Sequence, residues 1–209
     1  MKLMSGVHLI EGMAQSALLT DDRLLLVDTT YTAGAPDIVA YLKEIGYKPR
    51  DLTSIVITHV HPDHVTGLAG LVEASEAEVA SHRIEAEFIS KRENYPGGRV
   101  LPHAATEVDV LLEDGDRYQE LMVIHAPGHT PGNIALLDEA RGLLIAGDSM
   151  RTEGGQIGPM MDQNNIDPAE HRESMKKIAG FEFQALIVGH GAPLTTGARD
   201  RLKEAVAKL

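Results

Sequence analysis

Thr58-His59-Val60-His61-Pro62-Asp63-His64 decides the reading of this chain. His59 and His61 are two positions apart, and the run before them, Leu52-Thr-Ser-Ile-Val-Ile-Thr58, is β-branched and apolar. It predicts a buried strand whose end sends both imidazoles out on one side, a two-toothed clamp for a metal ion. Pro62 stops the strand. Asp63 and His64 follow on the turn before a helical stretch expected over Val65–Ala74, where a carboxylate and an imidazole can face a second ion.

Three later phrases add one ligand type each: Pro-Gly-His129-Thr-Pro-Gly, Ala-Gly-Asp148-Ser and Val-Gly-His190-Gly. Glycine or proline frames each of these residues just after an apolar run, so each is expected on a tight turn at a strand end, where a buried sheet presents polar groups to a cleft. The chain has 10 histidines. His8, His82, His103, His125 and His171 lack a framed strand end with a partner at ligand spacing and are read as surface or hydrogen-bonded histidines. His125 is the least clear of these.

On these four phrases the chain resembles the metallo-β-lactamase-fold hydrolases, in a glyoxalase-II-like or lactonase-like branch. The resemblance runs from Leu24-Leu-Leu-Val-Asp28-Thr to Leu186-Ile-Val-Gly-His190-Gly. It implies an α/β (α+β) chain folded as a four-layer αββα sandwich, with His59, His61 and His129 on a first metal, Asp63, His64 and His190 on a second, and Asp148 bridging them. Asp28 would orient a ligand imidazole. Two divalent ions are implied, zinc first, with iron and manganese as alternatives. Between them a hydroxide would attack a small ester, lactone or thioester, with Asp63 and Asp148 as the catalytic carboxylates. Two other readings stay open: a mononuclear iron oxygenase of the persulfide-dioxygenase kind, using only His59, His129 and Asp148, and a phosphodiester hydrolase.

Composition bounds the partners. The absence of cysteine excludes disulfides, thiolate zinc ligands and a cysteine nucleophile. A net charge of −12, with basic residues gathered only at Lys91-Arg92, Arg172 with Lys176-Lys177, and the C-terminal helix, argues against nucleic acid as a partner. The first twenty residues make a poor signal peptide and no apolar run reaches membrane-spanning length, so a cytoplasmic enzyme of small molecules is expected, with no membrane partner and a homodimer compatible. Ser149 has no evident base once the histidines are committed, and is read as a structural hydroxyl.

One domain over 1–209, built of two packed βα halves, is expected. The first half reads as strands Val7–Ile10, Ser16–Leu19 and Leu24–Val27, a helix Pro36–Gly46, strand Ser54–Thr58, strand Val79–Ala80, a helix from about His82 to Arg92 and a loop Asn94–Gly98. The second reads as strands near Thr106–Leu112, Glu120–Ala126, Asn133–Asp138 and Leu143–Ala146, a helix Pro168–Ala179, strand Ala185–Val188 and a helix Ala198–Leu209. Strands inside and helices outside give the sandwich.

Departures from subfamily patterns narrow the substrate. The resembled β-lactamases place cysteine or serine at the Asp148 position. Acyl-homoserine lactonases usually carry a tyrosine between the bridging aspartate and the last histidine, and none occurs from Asp148 to His190. Glutathione-thioester hydrolases add a C-terminal helical domain. His61 stands where flavodiiron proteins have glutamate. The Gly- and Met-rich stretch Arg151–Asn165 reads either as a lid over the site or as a packed loop, and Tyr31 and Tyr95 are candidate pocket walls.

Overall fold

The computed structural model describes residues 1–96 and 101–209. They fall into two compact units, Met1–Leu111 and Leu112–Leu209. Gly97 and Gly98 of the expected Asn94–Gly98 loop lie outside the described residues.

The first unit is built on a seven-stranded sheet: β1 (Lys2–Met4), β2 (Val7–Ile10), β3 (Ser16–Thr20), β4 (Leu24–Val27), β5 (Leu52–Ile57), β6 (Glu78–His82) and β7 (Val110–Leu112), side by side in that order. The first four form an antiparallel meander, and β4, β5 and β6 are parallel. Parallel strands are covered on both faces and so read as continuous apolar runs. Accordingly Leu26, Ile55 and Ile57 are fully buried, packed with Ile38, Leu42, Leu68 and Leu71 from the helices.

Helix α1 (Pro36–Glu44) begins on a proline whose preset φ suits the first turn, and Gly46, at φ 91, ends it. The helix expected over Val65–Ala74 is two pieces, α2 (Pro62–Val65) and α3 (Leu68–Ser75). Asp63 and His64 therefore sit within a helical turn rather than ahead of one. The break falls at Thr66-Gly67, and a Cβ on Gly67 would come within 2.8 Å of the Ala35 Cβ. Helix α4 (Arg83–Ile89) is shorter than expected at both ends, and the His82 ring caps it by accepting from the Ile84 N–H.

In the second unit the five-stranded sheet has the order β14–β11–β10–β9–β8, with β8 (Arg117–Tyr118), β9 (Leu121–His125), β10 (Ile134–Asp138), β11 (Leu143–Ile145) and β14 (Ala185–Ile187). Neighbours are antiparallel except β11 and β14. Helices α5 (Pro168–Ile178) and α6 (Ala198–Val206) pack Met175, Ile178, Ala198 and Leu202 against Ile124, Leu137, Leu144 and Leu186. Asp167 caps α5 by accepting from Ala169 and Glu170 at 2.9 and 3.0 Å, with Pro168 following. The strand expected from Thr106 begins only at Val110.

Arg151–Asn165, expected as a lid or a packed loop, carries secondary structure of its own. It forms a hairpin, β12 (Arg151–Glu153) against β13 (Gln156–Gly158), then a 3₁₀ turn at Asp162–Asn164. Gly154 and Gly155 supply the two positive φ values of its turn, 57° and 77°. Met150 and Met160 are buried, whereas Met161 is exposed.

Candidate metal centre

In the first unit the clamp residues follow β5 in a bend, not on the strand. His61 is the residue before α2 and Pro62 its first position. The His59 and His61 rings stand 4.9 Å apart at 85°, and the His59 and His64 rings 4.1 Å apart at 50°. His59 and His64 are fully buried and His61 nearly so. Asp63 is the more open member of the set, its Oδ2 3.9 Å from His64 Nε2.

Hydrogen bonds show which nitrogen each ring would offer. Asp28, buried at the end of β4, accepts from the Thr58 N–H (2.7 Å), the Thr58 hydroxyl (2.7 Å) and His64 Nδ1 (2.8 Å). Because the Thr58 hydroxyl donates to Asp28, it accepts from His59 Nδ1–H at 3.1 Å. Both His59 and His64 are thereby set with the proton on Nδ1 and turn Nε2 toward a metal. His61 is the reverse: Nε2 meets the Tyr95 hydroxyl at 3.0 Å, so Nδ1 is the atom it would offer. Tyr95 packs edge-on against Phe88 of α4. The fully buried Glu85 carboxylate, also on α4, accepts from the N–H of Val60 at 2.7 Å, midway along the clamp. Asp28 pays for its hub position with backbone strain, since its φ of 60° is left-handed.

The second unit holds the other three. His129 lies on the turn between β9 and β10, Asp148 follows β11, and His190 follows β14. One carboxylate oxygen, Asp148 Oδ2, is 3.3 Å from His129 Nε2 and 3.3 Å from His190 Nε2. His129 Nδ1 donates to the Asn165 side-chain oxygen at 2.8 Å, which again leaves Nε2 as the ligand atom. Thr152 of β12 anchors the last turn: its N–H donates to the His190 carbonyl (3.1 Å) and its hydroxyl to the Ala192 carbonyl (2.6 Å). A Cβ on Gly191 would collide with that threonine.

The five remaining histidines engage other groups. His8 Nδ1 meets the Tyr41 hydroxyl, His82 caps α4, and His103 and His125 reach the Ile89 and Pro131 carbonyls through Nε2. His171 Nε2 accepts from the Met160 N–H at 3.2 Å. Burial first, with His129 and Arg172 nearby, pushes its pKa down to about 4. Burial is also the main cause of the lowered pKa of His103. The Ser149 hydroxyl is buried and accepts from Asn133 Nδ2 at 2.8 Å. Tyr31 is exposed and Tyr95 buried.

The His/Asp groupings able to hold a metal, among the described residues, are drawn from His59, His61, Asp63, His64, His129, Asp148 and His190 alone. Nitrogen and carboxylate donors without sulfur suit zinc, iron or manganese. Sequence reasoning anticipated Asp28 but missed Thr58, Glu85 and Asn165 and gave Tyr95 a different role. Only Thr58, adjacent to His59, carried a local signal.

A family model described as the metallo-beta-lactamase superfamily matches residues 9–190. The chain is 29% identical over 201 residues to the probable metallo-hydrolase YflN of Bacillus subtilis, covering 82% of this chain and 76% of that protein. It is 28% identical to an N-acyl homoserine lactonase of Bacillus cereus (94% and 70% covered) and 31% identical to a hydroxyacylglutathione hydrolase of Cereibacter sphaeroides (75% and 54% covered). Among solved structures, a Cronobacter sakazakii metallo-β-lactamase with a HARLDQ motif superposes with a TM-score of 0.79 over 100% of this chain and 90% of that one, at 22% identity.

Proposed function

We propose, for a chain that belongs to the metallo-β-lactamase superfamily by the match over residues 9–190, a hydrolase that uses two divalent metal ions, zinc first, to cleave a small ester, lactone or thioester. His59, His61 and His129 would hold one ion, Asp63, His64 and His190 the other, and Asp148 would bridge them.

The observation that carries this reading is the spacing around Asp148 Oδ2, 3.3 Å from two imidazole nitrogens. A charge-assisted N–H···O⁻ bond would close to about 2.7–2.9 Å. A nitrogen and an oxygen bound to one tetrahedral ion, at about 2.0–2.2 Å each, stand about 3.4 Å apart. One oxygen at that spacing from two rings supports a shared carboxylate.

Bound there, the ions would bring the pKa of a water toward neutrality and polarise the scissile carbonyl. The protein's own part is placement. Asp28, Thr58 and Asn165 hold three ligand rings in a single tautomer each, and the Tyr95 hydroxyl orients the fourth, His61. Asp63, the more solvent-open carboxylate of the clamp turn, would pass a proton to the leaving group. Cysteine is absent, and the Ser149 hydroxyl next to Asp148 is buried on Asn133 rather than set as a nucleophile.

The N-acyl homoserine lactonase and hydroxyacylglutathione hydrolase relatives support acyl substrates, and the chain spans 70% and 54% of their respective lengths. The test is metal quantification on purified protein, followed by a panel of lactone, thioester, β-lactam and phosphodiester substrates. Two ions per chain with turnover of an acyl substrate would uphold the reading. One iron per chain with oxygen uptake would replace it with an oxygenase.

A further inference from the structure

We propose that Asn165 is a positioning residue for the metal centre, and that the hairpin segment Arg151–Asn165 acts as a brace on the ligands of the second unit. The inference rests on the metal-binding reading above, and the observations are local to that unit. The Asn165 side-chain oxygen accepts from His129 Nδ1–H at 2.8 Å, while its Nδ2 reaches the Met160 carbonyl at 3.5 Å. The amide thus has its donor end on a carbonyl and its acceptor end on the ring, which places the ring proton on Nδ1 and the lone pair on Nε2. That Nε2 is the atom beside Asp148 Oδ2.

Backbone contacts reinforce the pairing. Ile166 N–H donates to the His129 carbonyl at 3.2 Å and Asp167 N–H to the Gly128 carbonyl at 2.8 Å. Gly128, at φ 112, admits this approach, because a Cβ there would collide with the His171 backbone. At the other end of the segment, Thr152 holds the His190 turn. The chain leaves Asp148, braces His190, forms the hairpin and returns to His129.

The backing group differs from that of His64, whose Nδ1 faces the Asp28 carboxylate. A neutral amide fixes orientation without adding charge, so His129 is the weaker electron donor of the two rings. An Asn165→Asp exchange keeps the acceptor and adds a charge; Asn165→Ala removes the acceptor and adds none. The experiment titrates zinc and cobalt(II) into metal-free wild type, N165A and N165D, reading stoichiometry, affinity and the cobalt visible spectrum, with metal-free thermal unfolding alongside.

Expected are a roughly 10–100-fold loss of affinity for one ion in N165A, the usual cost of deleting a group that orients a metal-bound histidine, and retention or gain in N165D with an altered cobalt spectrum. Equal metal affinity in all three proteins would overturn the proposal, as would equal losses in N165A and N165D accompanied by matching drops in metal-free stability. Should N165A fail to fold, N165D alone decides, because unchanged affinity with an unchanged spectrum also sinks it. Failure of the wild type to bind metal would instead refute the metal-binding reading.

Discussion

A single side chain just after β4 organises the first motif. Asp28 accepts three hydrogen bonds and so fixes the tautomers of two rings, one directly and one through Thr58. Replacing Asp28 by Ala should leave buried donors unmatched, costing about 1–3 kcal/mol for each, and weaken metal binding about 10–100-fold. Thermal unfolding of the metal-free protein and metal titration read the two effects separately. Asp148→Ala should release both ions and abolish turnover; a variant that keeps two ions at normal activity would refute the bridging role. At this scale the sequence was legible where chemistry and spacing coincide, as in His59-Val60-His61-Pro62-Asp63-His64. Asn165 was not, because it meets His129 from 36 positions away and nothing local marks a distant amide as a ring's partner.

Elements were legible in proportion to their apolar pattern. β4, wholly apolar, and β5, apolar over Ile55-Val56-Ile57, matched expectation to within two residues, as did α1 with its proline start and glycine end. The hairpin β12–β13 escaped, since Arg-Thr-Glu and Gln-Ile-Gly are three-residue strands with little to bury. The break between α2 and α3 escaped because it answers to a neighbouring loop at Ala35, not to local propensity. The hairpin segment yields a prediction that separates two adjacent methionines. Met160 is buried, so Met160→Ala should lower stability by about 2–5 kcal/mol. Met161 is half exposed, so Met161→Ala should leave stability within about 0.5 kcal/mol and raise KM for acyl substrates with long apolar chains more than for short ones. Matched KM values across chain lengths would remove Met161 from the substrate path.

Over the whole molecule, histidines kept neutral by burial set a lower pH limit. The folded-state pKa of His171 is about 4, below its ordinary value of 6.5. A group depressed this way contributes its full stability above about 6.5, and loses it as pH falls toward 4, where the unfolded chain takes up the proton first. Urea midpoints of metal-free protein should therefore fall between pH 6.5 and 4, and His171→Gln, which retains an acceptor for the Met160 N–H, should flatten the curve. An unchanged slope would assign the acid sensitivity to other groups. The family and the α/β class were visible before the structure because four ligand phrases recur along most of the chain; the layout of supports behind them was not, being a property of three-dimensional neighbours. The segment from Thr152 to Asn165 bears on how such a fold can diversify. Surface excursions near an active site are the parts most freely exchanged when substrate range drifts or is engineered. Here the excursion touches the His190 turn at one end and His129 at the other, so a wholesale exchange would carry off part of the support behind two candidate ligands.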